Sequence, residues 1–314
     1  MTTSRVLRIA TRGSRLAVWQ AHAVADRLRA AGVETDITIF TTTGDRSQNA
    51  HVAGDDTKRQ FVKELEDALL RGDADLAVHS AKDLPVDLPD DLAVAACLPR
   101  EDPRDGIVLP HSREVVPLDD VLRRLGPAAR IGTGSVRRAA QLGPLCRGAV
   151  FAPIRGNVDT RLARLDEGRF DALVLACAGL RRLGFAERIS AAIPVDQCVP
   201  APGQGIVAVE IRQDSESLRD TLRRIGDEAA GRALAAERAL VAALGGGCQL
   251  PLGAIAEERE GRLEMLAVVA SLDGSRSARG SISGSPADPE ELGRRLAAML
   301  EAEGARELLD ATRS

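Results

Sequence analysis

Three groups of residues in this chain have types and spacings that could do chemistry. The first is a thiol. Gly245-Gly246-Gly247-Cys248-Gln249-Leu250-Pro251 sets Cys248 on a glycine arm, directly after a helix-forming segment at 231–244. Glycine stops a helix by supplying left-handed backbone angles without a Cβ penalty. A buried structural cysteine normally sits in an apolar run, but this one has almost no side-chain cover. The arm reads either as a helix cap beside an incidental cysteine or as a tether that lets something approach the sulfur. The second group is a set of cations at strand-to-helix turns: Arg12-Gly13-Ser14-Arg15, Ser80-Ala81-Lys82-Asp83, Gly134-Ser135-Val136-Arg137-Arg138, and Arg155-Gly156-Asn157 with Arg161 one turn later. Each is expected to offer a Ser or Asn cap and free N–H groups. A helix N-terminus attracts anions and disfavours Lys or Arg. Any one of these cations could pair with one of the 46 acidic residues. Four together point to a ligand with several carboxylates or phosphates, bound between the two halves of the chain. The third is Asp83. Among cations it would repel such a ligand, unless it handles protons or faces a transient positive charge. The alternative is an ion pair with Lys82 or a neighbouring Arg.

Composition bounds the function classes. The net charge is -4, and the aromatics are five Phe, one Trp and no Tyr. A nucleic-acid reader is usually basic and a single-strand binder needs stacking platforms, so no nucleic-acid partner is expected. Five cysteines (Cys97, Cys146, Cys177, Cys198, Cys248) form no CxxC pair, and His22, His51, His79 and His111 fit no ligand spacing. Neither a disulfide framework nor a metal is expected. There is no Walker loop and no GxGxxG after a strand. The apolar runs are too short to span a bilayer, and the first residues lack a signal-peptide core. A soluble cytoplasmic protein with no membrane partner is the expectation.

The elements that must position these residues follow from periodicity. Strands are expected near 6–10, 35–42, 76–79 and 92–98, with helices from Ser14 to about 31 and over 61–70. An apolar stripe of Leu16, Val18, Trp19, Ala23, Val24 and Leu28 marks the first helix. Residues 44–58 are polar and aperiodic, and a loop of that length is usually functional or disordered. A charged, proline-punctuated stretch, 99–105, is the first boundary. The same grammar restarts with strands near 107–109, 130–132, 150–154 and 172–175 and helices between them. Pro200-Ala201-Pro202-Gly203-Gln204-Gly205 is the second boundary. The last third changes to helices near 215–225 and 231–244, strands near 252–255, 263–272 and 276–283, and one long helix over 289–311. The fold class expected is two α/β halves with parallel sheets plus a smaller C-terminal α+β domain. In such sheets ligands lie beyond the carboxyl ends of the strands.

Taken together, these stretches resemble the porphobilinogen deaminase family over nearly the whole chain. The resemblance runs through Ile9-Ala10-Thr11-Arg12-Gly13-Ser14, Phe61-Val62-Lys63-Glu64-Leu65 and Val78-His79-Ser80-Ala81-Lys82-Asp83-Leu84-Pro85. It continues through Arg100-Glu101-Asp102-Pro103-Arg104-Asp105, Gly132-Thr133-Gly134-Ser135-Val136-Arg137-Arg138, Arg155-Gly156-Asn157-Val158, Pro202-Gly203-Gln204-Gly205 and Gly246-Gly247-Cys248-Gln249-Leu250-Pro251. Each motif alone is weak; their order and spacing are specific.

The resemblance implies a dipyrromethane cofactor, made from substrate and held by a thioether to Cys248. It primes head-to-tail addition of four porphobilinogen units, each losing ammonia, before water releases hydroxymethylbilane. It implies two domains like those of periplasmic anion-binding proteins, 1–102 with 201–220 and 103–200, and a third, 221–314, carrying the cofactor loop. Asp83 takes the family's catalytic role, assisting departure of the amine and stabilising the azafulvene cation. Asp83, Lys82, Ser80, Ser135, Arg137 and Arg138 fall on cofactor-binding positions. Arg12, Ser14, Lys58, Phe61, Arg155, Arg161, Arg182 and Gln204 fall on substrate-binding ones. Residues 44–58 match a mobile loop over the active site, and a monomer is expected. Arg59-Gln60 stands where Gly-Leu is usual, Ala81 where Met is common, and Asp159 where Gly is common. The first departure adds charge and removes flexibility beside Lys58. A non-catalytic two-lobed binding protein for a polyanionic metabolite would fit the first 220 residues, but leaves Cys248 without a purpose.

Overall fold

The computed structural model describes residues 6–40, 56–245 and 250–312, with the backbone alone over 56–61. In chain order the elements are β1 (Leu7–Arg12), α1 (Arg15–Ala30), β2 (Thr35–Phe40), α2 (Asp56–Arg71), β3 (Leu76–Ser80), β4 (Leu92–Cys97) and β5 (Asp105–Val108). Next come α3 (Leu118–Leu125), β6 (Arg130–Gly132), α4 (Val136–Leu142), β7 (Val150–Ala152), α5 (Val158–Asp166), β8 (Ala172–Ala176), α6 (Cys177–Arg182) and β9 (Ala191–Ala192). The remainder is β10 (Val207–Arg212), α7 (Glu216–Arg223), α8 (Glu228–Ala243), β11 (Leu252–Arg259), β12 (Arg262–Ala270), β13 (Ser277–Gly284), α9 (Pro289–Ala302) and α10 (Ala305–Asp310). By compactness the described residues fall into two units, one drawn from Met1–Arg100 with Ile206–Leu234, the other from Glu101–Gly205 with Ala235–Ser314.

The first unit holds a five-stranded sheet in the order β2-β1-β3-β10-β4. β1 is parallel to β2 and β3, while β10 runs antiparallel to β3 and β4. The strand period of two sends alternate residues to opposite faces. Ile9, Val78, Val207 and Val209 pack with Val24 and Leu28 of α1 and Leu222 of α7. Ala10 and Ala77 face Leu65 and Leu69 of α2 instead. The buried face of α1 is Ala17, Gln20, Ala21, Val24, Ala25 and Leu28. This corrects the expected stripe: Trp19 is 41% exposed. Small alanines let the helix approach the sheet closely, so side-chain bulk rotated the expected face.

The second unit repeats the pattern as β7-β6-β8-β5-β9. β6 is parallel to β7 and β8, and β5 is antiparallel to β8 and β9. Both sheets are therefore mixed, where parallel ones were expected. Apolar runs report burial on both faces and carry no information about strand direction. A three-stranded antiparallel sheet, β11-β12-β13, belongs to this unit. The expected single helix over 289–311 is two, α9 and α10, broken at Gly304 with φ 89°. Among the described residues no helix is long and apolar enough to cross a membrane.

Candidate functional site

In the first unit β1 and β3 run parallel, so both end at one edge of the sheet. β1 ends in Arg12, which is half-buried. Ser14 then caps α1, its side chain accepting from the Ala17 N–H at 3.2 Å. The first turn of α1 holds no acidic residue. β3 ends in Ser80 and passes into a single 3-10 turn, Ala81–Asp83. Lys82 and Asp83 are half-buried there. The Ala81 N–H donates to the Ile206 carbonyl at 3.0 Å, which pins the turn to the chain entering β10. Ser80 does not cap. Gln20 Nε2 donates to its hydroxyl at 2.8 Å, and Gln20 is 2% exposed. Just below, His79 Nε2 lies 2.9 Å from Glu210 Oε2, both side chains buried.

In the second unit β6, β7 and β8 are parallel and end at one edge; Ser135, Arg137 and Arg138 follow β6, Arg155 and Arg161 follow β7, and Arg182 follows β8. Ser135 caps α4, accepting from the Arg138 N–H at 3.4 Å. The two arginines that follow do not project outward. Arg137 and Arg138 are buried against Asp105, with Arg137 Nη2 2.8 Å from Oδ2 and Arg138 Nη2 2.7 Å from Oδ1. Arg138 Nε adds 2.9 Å to Oδ1, and the Val199 and Val174 carbonyls accept from Arg137 and Arg138 at 2.7 and 3.0 Å. Burial works to raise the Asp105 carboxyl. The fields of Arg137 and Arg138, with hydrogen bonds from Arg138 and Gln204, outweigh it and hold the group well below the usual carboxylate range.

Gln204 is likewise turned inward, 1% exposed, its amide donating to Asp105 Oδ1 at 2.9 Å and to the Pro103 carbonyl at 2.7 Å. Gln204 was expected at a substrate-binding position, and Arg137 and Arg138 at cofactor-binding ones. What these side chains show is an internal network, because Asp105 opens β5, between β8 and β9, and is fully buried rather than lying in a solvated linker. Arg182 Nη2 donates to the Gly205 carbonyl at 2.6 Å, and burial draws its guanidinium below the ordinary value. At the turn after β7, Arg155 is exposed and Arg161 Nε donates to the Gly156 carbonyl at 2.7 Å. Asn157 makes no side-chain cap there, and Asp159 supplies negative charge to the first turn of α5. Side-chain capping is thus limited to Ser14 and Ser135 among the four expected turns. Cys248, and the side chains of Lys58 and Phe61, lie outside the described residues.

Two residues escaped the sequence reading. Gln20 left a signal, a polar side chain at helical spacing within the stripe Ala17, Ala21, Val24. Asp105 appeared only as the end of the motif Arg100–Asp105, and its pairing with the arginines left no signal, since the charged run before it looks solvated.

The chain is an α/β protein with two mixed sheets of one strand order, each with cationic turns at the carboxyl edge of its parallel strands, and a smaller C-terminal sheet. Among solved structures it is similar to the periplasmic VFT2 domain of BvgS from Bordetella pertussis, at 19% identity and TM-score 0.38, covering 70% of this chain and 86% of that one. It is also similar to a TRAP periplasmic solute binding protein from Desulfovibrio salexigens, at 14% identity and TM-score 0.40, covering 73% and 74%. The family model "Porphobilinogen deaminase, dipyromethane cofactor binding domain" matches residues 7–220, and "Porphobilinogen deaminase, C-terminal domain" matches 232–302. Porphobilinogen deaminase of Thiobacillus denitrificans is 44% identical over 307 residues, covering 97% of this chain and 98% of the relative. That of Geotalea daltonii is 42% identical over 305 residues, covering 96% and 93%.

The chain belongs to the porphobilinogen deaminase family. It is a transferase with hydroxymethylbilane synthase activity and a dipyrromethane cofactor, and porphobilinogen is its substrate. It deaminates porphobilinogen and adds four units head to tail onto the covalently bound primer, releasing hydroxymethylbilane. A non-catalytic binding role is not favoured.

Proposed function

We propose that Asp83 is the catalytic group of this transferase. The observation that carries the reading is its place: a half-buried carboxylate next to Lys82, at the sheet edge where Arg12 and the start of α1 also stand. A fixed anion there stabilises positive charge on the substrate as the amine departs and accepts hydrogen bonds from pyrrole N–H groups. Lys82, Ser80, Ser135, Arg137 and Arg138 serve the cofactor, and Cys248 is its covalent anchor. Arg12, Ser14, Lys58, Phe61, Arg155, Arg161 and Arg182 serve the incoming units, and Gln204 serves them indirectly, through the Asp105–arginine network it helps to hold. The residues fit a polycarboxylate: cations recur at both carboxyl edges, and Arg137 Nε is buried without an acceptor. When bound, the dipyrromethane supplies the pyrrole carbon onto which the chain is built. Each ring brings two carboxylates, so growth needs many guanidiniums, which bind carboxylates with paired hydrogen bonds.

The reading extends to three domains, 1–102 with 201–220, 103–200 and 221–314, supported by three separate sheets. It extends also to a monomer acting in the cytoplasm, with no nucleic-acid or membrane partner; the net charge of -4 supports the first exclusion. The test is the intact mass of denatured protein together with turnover of Asp83→Asn. Wild type should exceed its sequence mass by two linked pyrrole units, with the addition on Cys248. Asp83→Asn should keep fold and added mass while turnover falls at least about 100-fold. Active protein of unmodified mass, or an Asp83→Asn variant of near-normal activity, refutes the corresponding half of the reading.

A further inference from the structure

One buried carboxylate in the second unit has no part in the chemistry above. Glu237 lies on α8 with no exposed surface. Its two oxygens accept two backbone N–H groups from distant segments, Oε2 from Gly203 at 2.5 Å and Oε1 from Ala256 on β11 at 2.7 Å. A carboxylate is costly to bury unless donors surround it, and an apolar replacement is often no less stable. Bulk stability is therefore a poor reason for Glu at a stripe position between Leu234 and Leu240, both buried. The held turn supplies a better one. Gly203 and Gly205 adopt φ 75° and 89°, which only glycine takes without strain. The turn so formed aims Gln204 at Asp105, and Asp105 holds Arg137 and Arg138. A continuous set of buried polar contacts thus runs from α8 to the arginine pair. In sequence, α8 leads into the arm that begins at Gly245.

We propose that Glu237 is a positioning residue for cofactor loading: through the Gly203–Gln204 turn it locks Asp105 and its two arginines in register with the helix that leads into the cofactor arm. The proposal rests on the functional reading above, in which those arginines serve the dipyrromethane. Two cations and one anion leave one net positive charge, fixed in direction before any carboxylate arrives. Preorganised charge acts without reorganisation cost.

The experiment uses full-length apoprotein incubated with porphobilinogen. Intact mass against time gives the loading rate, and a thermal melt gives stability. Wild type is compared with Glu237→Gln, Gln204→Leu, the double variant, and Leu165→Ala. Leu165 is a fully buried core residue of α5 in the same unit, outside the network. Glu237→Gln should load about tenfold more slowly than wild type, as expected for a small misplacement of binding groups. Leu165→Ala, destabilised as much or more, should load at the wild-type rate. Because Glu237 acts through Gln204, the double variant should be no slower than the slower single one. Loading of Glu237→Gln within about twofold of wild type, or slowing matched by Leu165→Ala, overturns the proposal. So does a double variant slowed by the product of the two single effects. If Glu237→Gln does not fold, Gln204→Leu against Leu165→Ala decides by the same criteria. A wild-type chain that never gains the mass refutes the functional reading itself, before any variant is compared.

Discussion

Replacing Asp105 with Asn asks whether charge holds the arginine pair. The amide keeps the shape and one acceptor for Arg138 and Gln204. At the Oδ2 position it places an NH2 against Arg137 Nη2, a donor facing a donor where the structure has a 2.8 Å ion pair. Two guanidiniums with side-chain exposures of 4% and 8% then lose their buried counter-charge. Removing one partner of a buried pair costs about 3–5 kcal/mol. For a unit of this size that is a fall of about 6–20 °C in Tm. The assay is a melt followed by far-UV circular dichroism, with Asp102→Asn beside it. Asp102 pairs with Arg104 and Arg181, each 41% exposed, and should cost about 1 kcal/mol or less.

The pH dependence has a defined sign. The folded-state value of Asp105 lies below its unfolded one, so the stability it contributes is complete above about pH 4 and is lost as pH falls toward the folded value. Wild type should lose stability through that acid range, and Asp105→Asn should show a flatter profile there. A variant melting within about 2 °C of wild type would mean that the arginines are held by packing and the carbonyls of Val174 and Val199 instead.

Two other outcomes follow from packing and burial. Gly293 of α9 meets α8 so closely that an added Cβ would collide with the Ala236 carbonyl and crowd the Leu240 N–H at 3.0 Å. Gly293→Ala should therefore lower stability by about 1–3 kcal/mol, read from the urea midpoint, although alanine is the better helix former; a stabilised variant would contradict the contact. Burial, with the neighbouring acids Asp102 and Asp105, pushes the Cys177 thiol up to about 12. Burial also pushes Cys198 up to about 12, against the opposing field of Arg137. Native protein treated with iodoacetamide at pH 8 should leave both unmodified by peptide mass, whereas rapid alkylation of either would contradict their burial.

The turns that carry the candidate residues were legible in the sequence because their signals are local. Ser14 and Ser135 cap helices where a Gly-Ser pair precedes a helical run, and the cations lie at strand-to-helix turns that short strings of Gly, Ser or Asn with Arg or Lys mark in the sequence. Asp83 sits on such a turn, and the strand before it opens with the apolar run Leu76-Ala77-Val78. The order of motifs, read along the chain, was enough to point to the family. What the sequence could not settle was direction. Nothing local distinguishes Arg137, turned onto Asp105 32 positions earlier, from Arg155, which is exposed. Trp19 outranks Ala17 and Ala21 in bulk, yet the sheet takes the alanines because close approach needs small side chains. Strand direction was equally hidden, since β5 and β10 enter their sheets antiparallel with the same apolar pattern as their parallel neighbours. Residue types and spacing thus determined the chemistry on offer: a thiol on glycines, a carboxylate among cations, and repeated guanidiniums. Which guanidinium is turned onto an internal acid and which is exposed depends on contacts between residues far apart in the chain, and only the tertiary structure decided it.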